Sequence, residues 1–478
     1  MNKTIAVTII MGFSLLSGCT LAPKYARPDA PVPDQWPAGA AYGQGQDANG
    51  EPKPGEIGWR QFFTDPKLLK IIDAALANNR DLRVAALNVE RVRALYDIRR
   101  AELYPVVNAG GSGVRQRASA DFTAPGQSRI SKMYEVNLGA IAWEIDFFGR
   151  VRSLADEALE EFMATQQARH GAQILLVSSV ADAYLTLAAS REALALSKRT
   201  FQMQKEAFSL VKKQYDNGIA TELDLRRAQT PVEIARGDVA RYTQLAAEAE
   251  NALRLLVGSS VSQELLSDEL DQVSPQTRIA AGLSSEVLLS RPDILAAEHR
   301  LRGAYARIGA ARAAFFPRIS LTSTIGSASL ELSDLFASGT GTWSYGAQIV
   351  MPIFDPRTWA AHRVSKVERE IAVAEYERAI QTAFREVADA LAVRGTVDER
   401  VAAQQALVEA LTASYRLSLS RFEKGIDSYL GVLDAQRSLF DAQQALIALR
   451  LLQRASQIRL YAVLGGGWQP EEAHVAAK

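Results

Sequence analysis

The chain has 478 residues, 54 Lys and Arg against 54 Asp and Glu, one cysteine and four histidines. Zero formal net charge argues against a protein that binds nucleic acid by neutralising phosphates, and one cysteine excludes internal disulfides and CxxC zinc sites. The histidines (His170, His299, His362, His474) are too scattered to form a metal cluster, and a mean hydropathy of -0.06 is that of a water-soluble chain rather than a bundle of membrane helices.

Lys3 precedes an apolar run from Ile5 to Leu16, too short to span about 30 Å of hydrocarbon but matching a secretory signal over residues 1–18. The run ends in Leu16-Ser17-Gly18-Cys19, which resembles a bacterial lipobox, so cleavage is expected before Cys19 and lipidation on its sulfur. Acyl chains bury about 0.8 kcal/mol per CH₂, enough in combination for a stable anchor. The competing reading is a buried structural cysteine. Thr20, rather than Asp, after the cysteine implies the outer membrane by resemblance to sorted lipoproteins. Residues 19–65 read as a lipidated, extended arm rich in Pro, Gly and Ala between Pro23 and Pro54.

Beyond the arm, long helical tracts alternate with short strand-like ones. Pro66 to Leu103 reads as one helix, Arg150 to Tyr215 as a helix of about 100 Å, and Arg357 to Glu423 as its repeat. Leu176, Val180, Ala183, Leu187 and Leu194 form an apolar stripe near a 3.5-residue period, which predicts coiled-coil packing. The charge content of these helices argues against membrane spans.

Between the helices, Tyr134, Val136, Leu138, Ala140 and Ala142 share one face of a predicted strand. Ile319, Leu321, Ser323 and Ile325 do so in a second, and Trp343, Tyr345, Ala347, Ile349 and Met351 in a third. Val106 to Arg117 supplies a weaker, glycine-rich strand. Strands near ten residues with one apolar face and terminal aromatics match transmembrane β-barrel strands, although an ordinary half-buried sheet carries a similar pattern. Four strands cannot close a barrel, whose smallest examples have about eight, so this reading demands several copies.

The chain is internally duplicated. Gln214-Tyr215-Asp216-Asn217-Gly218 matches Arg421-Phe422-Glu423-Lys424-Gly425, and Val257-Gly258 matches Leu464-Gly465, both 207 residues apart. Tyr104-Pro105 matches Phe316-Pro317 at 212 residues. The first repeat covers residues 66–257, with a β-hairpin near 105–147 and a helical hairpin near 150–257. The second covers 286–465, with hairpins near 318–354 and 357–464. An equatorial segment (258–285) and a tail (466–478) complete the chain. Pro231 predicts a kink, and Pro356 a helix start.

These features resemble the outer-membrane efflux factors of the TolC/OprM class, in particular their lipoprotein branch. The resemblance is carried by Leu21-Ala22-Pro23-Lys24-Tyr25-Ala26-Arg27-Pro28, Trp59, Phe62-Phe63-Thr64-Asp65-Pro66 and Trp143-Glu144-Ile145-Asp146-Phe147-Phe148-Gly149-Arg150. It continues in Arg291-Pro292-Asp293-Ile294-Leu295-Ala296-Ala297-Glu298, in Ile308 through Pro317, and from Leu433-Asp434-Ala435-Gln436-Arg437 to Leu464-Gly465-Gly466-Gly467-Trp468.

The resemblance implies a mainly α protomer with a transmembrane β-barrel. Three copies would form a 12-stranded barrel on a long periplasmic α-helical barrel. It implies a lipid-anchored, passive exit duct in the outer membrane of a Gram-negative bacterium, docking a periplasmic adaptor and a proton-driven inner-membrane pump. Gly218 and Gly425 would turn at the periplasmic tips and meet the adaptor. Leu430 would form an apolar constriction and Asp434 an acidic ring, with Arg437 pairing to a carboxylate. Phe422 and Tyr215 would brace the turns, and Asp224 is a candidate second ring. No cofactor is expected beyond the lipid on Cys19, and no metal or nucleic acid. The absence of P-loop, GxSxG and HExxH motifs gives no enzyme reading. Competing readings are a duct for secreted protein or metal ions, and a pore-less periplasmic coiled-coil scaffold.

Overall fold

The computed structural model describes residues 20–42, 57–273 and 284–468. The expected signal segment and lipidated Cys19, the middle of the arm, part of the equatorial segment and the tail beyond Trp468 lie outside the described residues.

The elements run α1 (Trp59–Phe62), α2 (Pro66–Asn78), α3 (Arg80–Ala101), β1 (Val107–Arg117), β2 (Ile130–Ile145), α4 (Arg150–Asp216) and α5 (Glu222–Val257). They continue with α6 (Pro292–Ala313), β3 (Arg318–Ser329), β4 (Gly341–Val350), α7 (Pro356–Glu423) and α8 (Tyr429–Val463). Two compact units share the chain. One holds Asn88–Gln166 and Ala296–Tyr376 with the arm up to Asp29, and the other holds Ala30–Leu87, Gln167–Leu295 and the chain from Glu377 on.

The single helix expected from Pro66 to Leu103 is two helices. Asn79 interrupts it in an extended conformation (ψ 131°). Its Oδ1 accepts the Leu82 N–H at 2.9 Å and so caps α3, while its Nδ2 donates to Leu256 O at 2.8 Å. Side-chain bonds thus replace the helical bonds lost at the break.

The helical hairpins are also not uniform. Their outgoing helices α4 and α7 have 67 and 68 residues, about 100 Å at 1.5 Å per residue. The returning helices α5 and α8 have 36 and 35 residues and stop at about half that length. The α5 helix passes Pro231 without ending, and Pro356 is the first residue of α7, capped by Asp355, which accepts from the Arg357 N–H at 3.0 Å.

In the unit containing the sheet, the strands lie in the order β1-β2-β3-β4, all antiparallel. Both edges, β1 and β4, are exposed along their whole length. The face predicted from Tyr134 to Ala142 ends two residues early. The β2–β3 register shifts between Ala140 and Trp143, and Ala142 takes φ 53°, its N–H donating to Thr322 Oγ1 at 3.0 Å. A bulge inserts residues that do not pair, which takes Ala142 out of the alternation.

The same unit holds the start of the arm. Glu298 on α6 is 2% exposed and accepts from Tyr25 OH at 3.0 Å, from Arg302 Nη2 at 2.6 Å and from Arg27 Nη2. A carboxylate so deeply buried is tolerable because two guanidiniums and a phenol satisfy its lone pairs.

The other unit is built on the apolar stretch of α4. Leu176, Val180, Tyr184 and Leu187 are buried there with Ile72, Leu253 and Ile458, and Phe62 stacks on Tyr461 at 4.0 Å. This stretch is apolar enough to pass the length and composition test for a membrane span, contrary to expectation from overall charge, and 56% of it is buried inside the protein. Its apolarity is accounted for by the core it fills.

Candidate functional site at the hairpin tips

The two tips are built alike. At the first, Gly218 adopts φ 73° and donates to Tyr215 O at 2.9 Å, while Ile219 donates to Gln214 O at 2.8 Å. At the second, Gly425 adopts φ 71° and donates to Phe422 O at 2.8 Å, and Ile426 to Arg421 O at 3.0 Å. The left-handed glycine satisfies the last helical carbonyls and reverses the chain.

The tips differ in how the returning helix starts. Thr221 and Asp224 form a capping box: Thr221 Oγ1 accepts the Asp224 N–H at 3.2 Å, and Asp224 Oδ2 accepts the Thr221 N–H at 3.1 Å. The Asp224 carboxyl is held below its ordinary range by the bonds from the Thr221 hydroxyl and N–H. At the matching positions of the second tip stand Ser428, which makes no side-chain cap bond, and Gly431. That tip is closed instead by a fork, Arg421 Nε to Asp427 Oδ2 at 2.5 Å and Nη2 to Oδ1 at 3.0 Å. The residue matching Asp427 in the first repeat is Ala220, so only the second tip has this pair.

Leu430, Asp434 and Arg437 come together on the first turns of α8, lining a cavity of about 350 Å³ with α4 and α5. Arg437 Nη2 reaches Asp434 Oδ1 at 3.3 Å, and both side chains are more than half exposed in the protomer. Such a pair gives only about 0–1 kcal/mol, so it breaks readily when the surface is rearranged. Leu430 is 45% exposed. Phe422 packs on Tyr429 at 5.0 Å across the second turn, and burial pushes the Tyr429 hydroxyl up to about 12. Tyr215 stands beside Gly218, away from the cavity, and Asp224 is engaged in its capping box.

Sequence reasoning missed Gln204, Phe440 and Asp441, which line the cavity with Asp434. Phe440 and Asp441 could have been found by continuing the α8 face in steps of three and four from Leu430 and Arg437. Gln204, on another helix, left no such signal. The arrangement brings apolar side chains and one exposed ion pair together at the start of α8.

The family model described as outer membrane efflux protein matches residues 71–259 and 283–466. The toluene efflux pump outer membrane protein TtgC of Pseudomonas putida is 47% identical over 472 residues, covering 98% of this chain and 96% of that protein. The antibiotic efflux pump outer membrane protein ArpC of Pseudomonas putida shows the same identity and coverage. Among solved structures, the open state of the Neisseria gonorrhoeae MtrE outer membrane channel superposes with a TM-score of 0.85 at 36% identity, covering 94% of this chain and 99% of that one. With its duplicated hairpins and four-stranded sheet, the chain belongs to the outer membrane efflux protein family.

Proposed function

We propose that three copies of this chain form the passive exit duct of a tripartite efflux system that expels drugs, solvents and other toxic small molecules. The observation that carries this reading is the sheet with two fully exposed edges. In lipid, unpaired strand edges cannot persist, and three copies joined from β4 to β1 would supply the twelve strands of a closed barrel. The substrate class follows the relatives, which bear the names of toluene and antibiotic efflux pumps. A lipid on Cys19 would tether the arm that Glu298 holds through Tyr25 and Arg27.

At the tips, Leu430 would narrow the duct and three copies of Asp434 would ring it with carboxylates that favour cations over anions. The Asp434–Arg437 pair, exposed and weak, is suited to a gate. A periplasmic adaptor meeting the turns at Gly218 and Gly425 would draw the helices apart and admit substrate from an inner-membrane pump.

Single-channel conductance of the purified protein in planar bilayers tests this. Asp434→Ala and Arg437→Ala are expected to raise conductance or open probability, and Asp434→Ala to weaken cation preference. Wild-type conductance and selectivity in both variants would refute the gate. A protein that forms detergent-stable trimers but no conducting pore at all would refute the duct.

A further inference from the structure

We propose that the cavity between α4, α5 and α8 is a binding site for an amphipathic organic amine. Its volume of about 350 Å³ falls in the range of small-molecule sites. Pro231 and Ile234 from α5 face Leu433 and Phe440 from α8 across it, which gives apolar walls and one aromatic ring.

The polar groups set the ligand's chemistry. Gln204 on α4 is 5% exposed, and its Oε1 is buried without a hydrogen-bond partner. A buried amide oxygen in that state has lost its water and gained nothing, so a donor that enters the cavity recovers the difference. Carboxylates outnumber guanidiniums in the lining, with Asp238, Asp434 and Asp441 against Arg227 and Arg437. Asp434 is engaged with Arg437 and Asp238 with Arg241, both at 3.3 Å, whereas Asp441 at the exposed rim makes no ion pair among the described residues. Arg227 lies one helical turn beyond Asp224, whose field reaches it. A ligand with an N–H donor for Gln204, a positive charge for Asp441 and an apolar body for Phe440 and Ile234 meets all three requirements. An aromatic amine also gains from the Phe440 face. Because α5 and α8 form opposite walls, such a ligand bridges two helices that separate if the tip opens.

The inference does not rest on Asp434 acting as a gate, since binding is read directly and a wild-type conductance in Asp434→Ala leaves it standing. The probe is ethidium, an aromatic cation with amino donors, titrated by fluorescence into the purified full-length protein in detergent against a detergent-only blank. Tetraphenylphosphonium, a cation without N–H, and anilinonaphthalene sulfonate, an anion, serve as competitors. Saturable binding is expected, weakened about tenfold by Gln204→Leu and by Asp441→Asn, the loss of one buried hydrogen bond and of one charge contact respectively. Tetraphenylphosphonium should compete weakly and the anion not at all. Gln204→Leu removes an unsatisfied group, and Asp441→Asn alters an exposed one, so both variants should assemble as the parent does. Unchanged affinity in both variants, equal competition by the anion, or no saturation above the blank would overturn the proposal.

Discussion

Asn79 and Arg291 stand 212 residues apart at matching positions of the two repeats, and each donates its side chain to the end of a returning helix, Asn79 to Leu256 O at 2.8 Å and Arg291 to Val463 O at 2.6 Å. Leu256 and Val463 themselves match at 207 residues. The duplicated chain thus closes each hairpin on the same joint using chemically different side chains. Arg291 also bonds Asp293 at 2.7 Å and Glu386 at 2.9 Å, a network with no counterpart around Asn79 among the described residues.

Removing the first joint is expected to cost stability in proportion to the groups orphaned. Asn79→Ala deletes a helix cap and a bond to a helix-terminal carbonyl, together about 1–3 kcal/mol. Gly258 adopts φ 71°, and a Cβ there would lie 2.6 Å from Asn78 O, so Gly258→Ala should cost more than Gly218→Ala, whose φ is 73° but whose surroundings are open. Denaturant unfolding of the purified variants checks the order; a Gly258→Ala variant as stable as Gly218→Ala would contradict the joint.

The arm latch should depend on pH. Burial pushes the Glu298 carboxyl up, but the bonds from Arg27, Arg302 and Tyr25 outweigh it and hold the group below its ordinary value of 4.5. A carboxylate lowered in the folded state contributes stability above the unfolded value and loses it as pH falls through the folded one. The arm should therefore resist proteolysis at neutral pH and become cleavable only in acid below that range. Glu298→Gln should release it at pH 7, a loss of about 1–3 kcal/mol. Limited proteolysis across pH gives the answer.

Much of this architecture is legible in the sequence because repetition is legible. The matched glycines located both tips, and the alternating apolar residues located three strands. The breaks were not legible, since Asn79 sits in a continuous helical pattern and shows its role only when Leu256 O is within reach. The bulge at Ala142 is likewise invisible, because alanine carries no signal for a positive φ. At the candidate site, the residues on one helix face were readable from the family pattern. Gln204 and the Arg421–Asp427 fork were not, as both depend on how the chain reverses.

Asp182 is expected to make the protein less stable as pH rises. It lies on α4 with Oδ1 buried and unpartnered, and burial, only partly offset by Arg459, pushes its carboxyl up from 3.8 to about 6. The folded state then holds the proton more tightly than the unfolded one. Stability falls between those two values as pH increases, and the penalty is complete above about 6, amounting to no more than about 3 kcal/mol. Asp182→Asn should raise stability at pH 8, by about half as much at pH 5, and change little at pH 3, below both values, which melting curves at pH 8 and pH 3 would reveal. An equal gain at both would point to packing instead.

The unequal caps predict that the two tips open with different ease. Thr221→Ala removes a working N-cap, at about 1 kcal/mol, while Ser428→Ala removes a side chain that makes no cap bond and should be nearly silent. Gly431 further loosens the first turn of α8, because glycine loses more backbone freedom there than alanine would, by about 1 kcal/mol. Amide hydrogen exchange should therefore be faster at the start of α8 than at the start of α5, with Gly431→Ala slowing the first and Thr221→Ala hastening the second. Since Leu430 rides on that looser turn, with Asp434 and Arg437 on the two turns after it, Gly431→Ala should also lower the open probability of the channel. Equal exchange at the two helix starts would mean that the Arg421–Asp427 fork compensates fully for the missing cap, and Arg421→Ala would then expose the difference.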